Sequence, residues 1–317
     1  VMLIAAFSYR VPPKDWKPDG WTPQPDGAKT MITKNHVHID QALKTPQFWQ
    51  LWIMLCFNVT AGIGVIGVAK TMVSEIFGSN AVLIEMATTS TLVLLFFANY
   101  VVMLSAFNMV GRFIWASTSD YIGRKNTYHC FFVLGAILYS SIPFFALQAS
   151  ADPTTVLYFA GFCIASMIIF TMYGGGFATI PAYLADIFGT MHVGGIHGRL
   201  LTAWSTAGVL GPLSITELRS YSLNQAINDL VQKIDPSKFL DKFGAPVEQL
   251  DQLVAAKTVS IARLMEIVPE GTIDPTPSLY NTTMYAMAGL LVVAFLANLL
   301  MKPVNSKHHY QGDPTKA

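Results

Sequence analysis

Six stretches of this chain, 48–69, 91–116, 127–147, 155–178, 200–215 and 280–301, run for membrane-spanning or nearly membrane-spanning length without an Asp, Glu or Lys. Lipid offers a backbone no hydrogen-bond partners, so such a run satisfies its own as a helix of about 20 residues rising about 1.5 Å per residue. The fifth run is short, and Gly194, Gly195 and Gly198 beside it let its helix begin earlier. Composition agrees. Apolar residues make up 52% and charged ones 12%, against about a quarter charged in a soluble domain. The expected fold is an all-α integral membrane protein built as a bundle of six transmembrane helices. Arg112 is the one charge inside a run and is read as lying near a helix end, where it snorkels to the interface.

The connections carry the charges. Arg10, Lys14, Lys17, Lys29, Lys34 and Lys44 precede the first run, Arg124 and Lys125 follow the second, Arg199 precedes the fifth, and Lys302, Lys307 and Lys316 follow the last. Two of the alternate connections are poor in Lys and Arg, with Lys70 alone between the first and second runs and none over 149–154, which puts the basic side in the cytoplasm. With a net charge of +1 dispersed in this way, nucleic-acid binding has no support. Cys56, Cys130 and Cys163 sit in apolar runs without CxxC spacing and read as packing residues. No nucleophile, metal or acid/base constellation is present, so neither enzyme activity nor a cofactor is expected. Residues 8–47, rich in Pro and Gly, have linker composition and are expected to lie loosely on the cytoplasmic face. His36 and His38 there read as solvated. Residues 217–279 hold Leu, Ile and Val at helical spacing among Asp, Lys and Gln over 223–234 and 247–267, which predicts a small external cap of amphipathic helices.

The second run ends in Asn108-Met109-Val110-Gly111-Arg112-Phe113-Ile114-Trp115-Ala116-Ser117-Thr118-Ser119-Asp120-Tyr121-Ile122-Gly123-Arg124-Lys125. Its Gly111, Arg112, Asp120, Gly123, Arg124 and Lys125 resemble the signature turn of the major facilitator superfamily, a short cytoplasmic turn between two helices of a solute carrier. Further segments resemble the oxalate/formate antiporter family within it: Gln41 to Trp49 with Asn58 to Ile63, and Pro181 to Gly189 through Gly195 to Trp204 and Gly211-Pro212. The resemblance implies the C-terminal six-helix half of a twelve-helix carrier. Residues 1–7 then end a preceding helix, 8–47 form the central loop, 48–216 hold helices seven to eleven, 280–301 form helix twelve, and 302–317 are a cytoplasmic tail. A carrier of this kind works at the interface of two bundles, so an N-terminal bundle is expected from the same protein or from a separate chain.

The resemblance also sets expectations for the site. Oxalate-transporting members place a Lys after the pair matching Thr202-Ala203, where this chain has Trp204. No cationic anchor for a dicarboxylate is therefore expected in this half. Asn58, Asn99, Tyr100, Tyr173 and Trp204 are polar or amphipathic residues within the runs and are candidates to line a substrate cavity, with interhelical contact as the alternative role. Asp186 and Arg199 flank the connection between helices ten and eleven and are candidate gating charges. Ala203, Ala207 and Gly211, at i, i+4 and i+8, read as a packing stripe. The function implied is secondary transport of small, monocarboxylate-like organic anions or other small metabolites by alternating access, in a membrane such as the bacterial inner membrane. The alternative is a structural membrane subunit that keeps a half-transporter fold within a larger complex.

Overall fold

The computed structural model describes residues 31–78, 99–152 and 156–311, with the isolated positions 7, 83 and 85. The expected helix end at 1–7, most of the loop to residue 30 and the first residues of the run 91–116 lie outside the described residues. The chain divides into two compact units, Val1–Met31 and Ile32–Ala317, and every helix named here belongs to the second. In order these are α1 (Ile39–Ala42), α2 (Pro46–Phe77), α3 (Tyr100–Ile122), α4 (Arg124–Ala151), α5 (Leu157–Phe188), α6 (Val193–Leu200), α7 (Thr202–Val231), α8 (Pro236–Phe243), α9 (Leu250–Ala255), α10 (Ile261–Met265) and α11 (Asn281–Leu299).

Among the described residues, five segments are long and apolar enough to cross a membrane: Pro46–Phe77, Tyr100–Ile122, Arg124–Ala151, Leu157–Phe188 and Thr276–Leu299. The protein is thus an all-α, multi-pass membrane protein. Local chemistry sets the helix ends. The Thr45 hydroxyl accepts from the Phe48 N–H, and Pro46 fills the first turn of α2, where its missing donor costs nothing. Gly123 (φ +85°) separates α3 from α4, a backbone that a side chain would strain.

The sixth long helix differs from expectation. α7 spans 30 residues, so the cap boundary expected at 217 falls inside a continuous helix. Charge ended the apolar run, but Glu217, Arg219 and Asp229 are compatible with helix once their side chains find water or a partner. Beyond it, the helix expected over 247–267 is broken into a 3-10 turn, α9 and α10, with Lys257 at φ +56° between the helices. Amphipathic periodicity marked an apolar face without marking this turn.

Helix α3 packs on α5, α7 on α2, and α11 on both α4 and α2. Small residues permit the closest crossings. A Cβ at Gly111 would lie 2.1 Å from the Thr171 carbonyl oxygen, and one at Gly174 would lie 2.0 Å from that of Asn108. The Ala203/Ala207/Gly211 stripe is buried, with Gly211 against the backbone of Thr60 and Gly64. It therefore serves packing of α7 on α2 within this bundle. On the outside, large apolar side chains such as Phe113, Ile137, Ile164 and Leu300 are exposed, as suits contact with lipid or a second bundle.

The expected loose loop is fastened in its described part. Thr33 N–H donates to the Asp186 carbonyl (2.8 Å) and Val37 N–H to that of Phe188 (2.9 Å), while Tyr310 N–H donates to the His36 carbonyl (2.7 Å). Val37 also forms an antiparallel bridge with His309. Linker composition carries no signal for backbone pairing with residues so distant in the chain.

Candidate functional site

Arg112 stands thirteenth in the 23-residue α3, ten residues before its end at Ile122, which is about 15 Å of helix. It lies neither in the turn nor near a helix end, contrary to the sequence expectation. The apolar run 91–116 stops at Ala116, but the helix continues through Ser117, Thr118, Ser119 and Asp120, so run length misplaced the Arg. Its Nη2 donates to Asn108 Oδ1 one turn earlier (3.3 Å), and its guanidinium carbon lies 5.8 Å from the centre of the Phe177 ring. Phe177 in turn lies 4.6 Å from the Trp204 ring and 5.2 Å from the Tyr173 ring. Helices α3, α5 and α7 thus bring a cation and three aromatic rings together. Arg112 and Trp204 are exposed, whereas Tyr173 is buried over Gly62, where a Cβ would lie 2.3 Å from the ring.

Asn58 joins this group from the bundle side. With Tyr173 and Tyr139 it lines a cavity of about 10 Å³, comparable with a single water. Tyr139 there donates to the Ala61 carbonyl at 3.0 Å. Two other candidates fall elsewhere. Asn99 caps the far end of α3, exposed, and Tyr100 follows it, buried against Phe162. Sequence reasoning missed Asn108, Phe177 and the central position of Arg112. Asn108 and Arg112 at i, i+4 on one helix face carried the only available signal.

At the Gly123 end, Arg124 donates to the Ser119 hydroxyl and to Asp120 and lies 3.8 Å from Asp186. Lys125 Nζ donates to the carbonyls of Leu299 (3.2 Å) and Met301 (2.8 Å). Asn298 closes the network, donating to the Lys125 carbonyl (2.9 Å) and accepting from the Tyr183 hydroxyl (2.8 Å). The two candidate gating charges go to different partners. Asp186 joins Arg124, while Arg199 binds Asp40 at 2.8 Å. The Arg199 hydrogen bond holds the Asp40 carboxyl below the usual carboxylate range.

The opposite end holds a group that the sequence did not announce. Arg219 of α7 donates to Glu75 of α2 and, through Nε, to the Tyr280 hydroxyl (3.0 Å), which donates to the other Glu75 oxygen (2.7 Å). Each charge is isolated in its own segment, so nothing in the sequence pairs them.

No family model matches the chain. It is similar to the oxalate:formate antiporter of Oxalobacter formigenes, 31% identical over 192 residues that cover 60% of this chain and 40% of the antiporter. The chain therefore matches less than half the length of that relative.

Proposed function

We propose that this chain is the C-terminal bundle of a secondary carrier for small organic anions, working by alternating access with an N-terminal six-helix bundle from the same polypeptide or another. The observation that carries the reading is Arg112, an exposed guanidinium about 15 Å from its helix end and set against Phe177 beside Tyr173 and Trp204. A cation at that depth is costly in lipid, so its exposed face is best explained by an aqueous cavity between two bundles, where it attracts an anion. A single cation with aromatic walls suits a monocarboxylate, and a dicarboxylate would need a second cation from the other bundle. This replaces the expectation of a half without a cationic anchor. The similarity to an oxalate:formate antiporter supports a small carboxylate as cargo.

On this reading the Gly123 end and the tail face the cytoplasm of a bacterial inner membrane, as the charge bias suggests. Asp120, Gly123, Arg124 and Lys125 shape the turn that moves against the other bundle, and Gly111 sets the close crossing of α3 on α5. Arg124 with Asp186, and Arg199 with Asp40, tie the loops at that end. The test is counterflow of labelled formate and oxalate by the full-length protein in vesicles. Arg112→Gln is expected to lower uptake at least about 100-fold, as loss of a charge-assisted contact of about 3 kcal/mol does, with Arg112→Lys partly active. Full activity of Arg112→Gln would sink the site, and no carboxylate counterflow in the wild type would leave the scaffold role.

A further inference from the structure

Where α4 meets α11 at the Gly123 end, three nitrogen-bearing side chains gather above an apolar face. Lys125 Nζ caps the carbonyls of Leu299 and Met301, which leaves one ammonium N–H uncommitted. Lys302 follows directly, exposed, its carbonyl and that of Pro303 held by Gln47 Nε2 at 3.0 and 3.1 Å. One turn along α4 from Lys125, the His129 ring lies 5.2 Å from Phe295, and its buried Nδ1 has no hydrogen-bond partner. Further along, Val133 and Ile137 of α4 and Val293 and Leu296 of α11 are exposed.

The charge there is not balanced by the protein. Among the described residues no ion pair reaches Lys125 or Lys302, and the carboxylates of this end are engaged elsewhere, Asp120 and Asp186 at Arg124 and Asp40 at Arg199. Two ammonium groups and an orphaned imidazole at the rim of an exposed apolar surface complement one ligand class. We propose that this corner binds an anionic phospholipid, its phosphate between Lys125 and Lys302 with His129 beneath, and its acyl chains along α4 and α11. A phosphodiester brings a negative charge and only acceptor oxygens, and clusters of Lys at a membrane interface select such headgroups. A zwitterionic lipid carries its own cation to the two lysines, and a free phosphate gains nothing from the apolar face.

The experiment is native mass spectrometry of the full-length protein in detergent, titrated with phosphatidylglycerol, phosphatidylcholine or inorganic phosphate. The wild type is expected to retain phosphatidylglycerol at concentrations about tenfold or more below those needed for phosphatidylcholine. Lys302→Gln, at an exposed position, should cut that preference several-fold without touching the helix-end contacts of Lys125, and Lys125→Gln with Lys302→Gln should remove it. Equal retention of the two lipids by the wild type, or an undiminished preference in Lys302→Gln, overturns the site. Displacement of phosphatidylglycerol by inorganic phosphate at equal concentration overturns the lipid assignment and leaves a free-anion site.

Discussion

The two ends of the bundle hold their charges in different ways. At the Gly123 end the central ion pair is local, Asp120 with Arg124 at i, i+4, and the surrounding carbonyl and amide contacts knit α4, α5 and α11 around it. At the opposite end Glu75 of α2, Arg219 of α7 and Tyr280, the residue before α11, meet only because those helices pack. The exposures differ on the carboxylate side: Asp120 is 64% exposed, although Arg124 is 18% exposed and also lies 3.8 Å from Asp186 of α5, whereas Glu75 is 26% and Arg219 28% exposed. A local, solvated pair contributes little to stability, whereas a half-buried, long-range one holds helices together and is costly to break in part. The first end is suited to motion and the second to anchoring.

The largest expected effect tests the close packing of α3 on α5 that carries the Gly123 end. Gly111→Leu drives a side chain into the Thr171 backbone, a collision that rotamers cannot relieve, and should destabilise the bundle by about 3 kcal/mol or more. Thermal unfolding in detergent measures it. A variant as stable as the wild type would mean that α3 and α5 separate easily, contrary to the packing.

At the anchoring end, Arg219→Met should cost about 2 kcal/mol, because it leaves the half-buried Glu75 without its cation. Adding Glu75→Gln should recover part of the loss in a double-mutant cycle. Additive losses would show that the two groups do not interact.

Asp120→Asn should change stability by less than about 1 kcal/mol, since the Asp120 carboxylate is largely solvated and Arg124 keeps Asp186. If the turn takes part in transport, its effect appears in the rate of counterflow instead. A stability loss as large as that of Arg219→Met would erase the distinction between the ends.

The smallest effect concerns the clasp between Asp40 and Arg199. Asp40 has a depressed pKa in the folded protein, so its contribution is present above the usual carboxylate value near 4 and is lost as pH falls below it. The distance between spin labels at Asn35 and Met191 should therefore stay constant from pH 8 to about 5 and lengthen only in stronger acid. Lengthening near pH 6 would assign control to a group other than Asp40.

What could be read in advance was whatever depends on neighbours in sequence. Apolar runs marked the helices and the class of the protein, because lipid penalises every exposed backbone polar group regardless of partner. The turn at Gly123 and its Asp120/Arg124 pair were legible for the same reason, being set by spacing within one segment. Helix ends were not, because hydropathy stops at the first charge while hydrogen bonding continues, as in α7 past Glu217 and α3 past Ala116. Nor was the site. Arg112 was visible as a residue, but only the packing of α3, α5 and α7 placed it against Phe177 and near Trp204, and only the meeting of α2, α7 and α11 neutralised Glu75 with Arg219. Contacts between side chains sixty or more residues apart are decided by which helix faces bury one another, and that choice belongs to the tertiary structure.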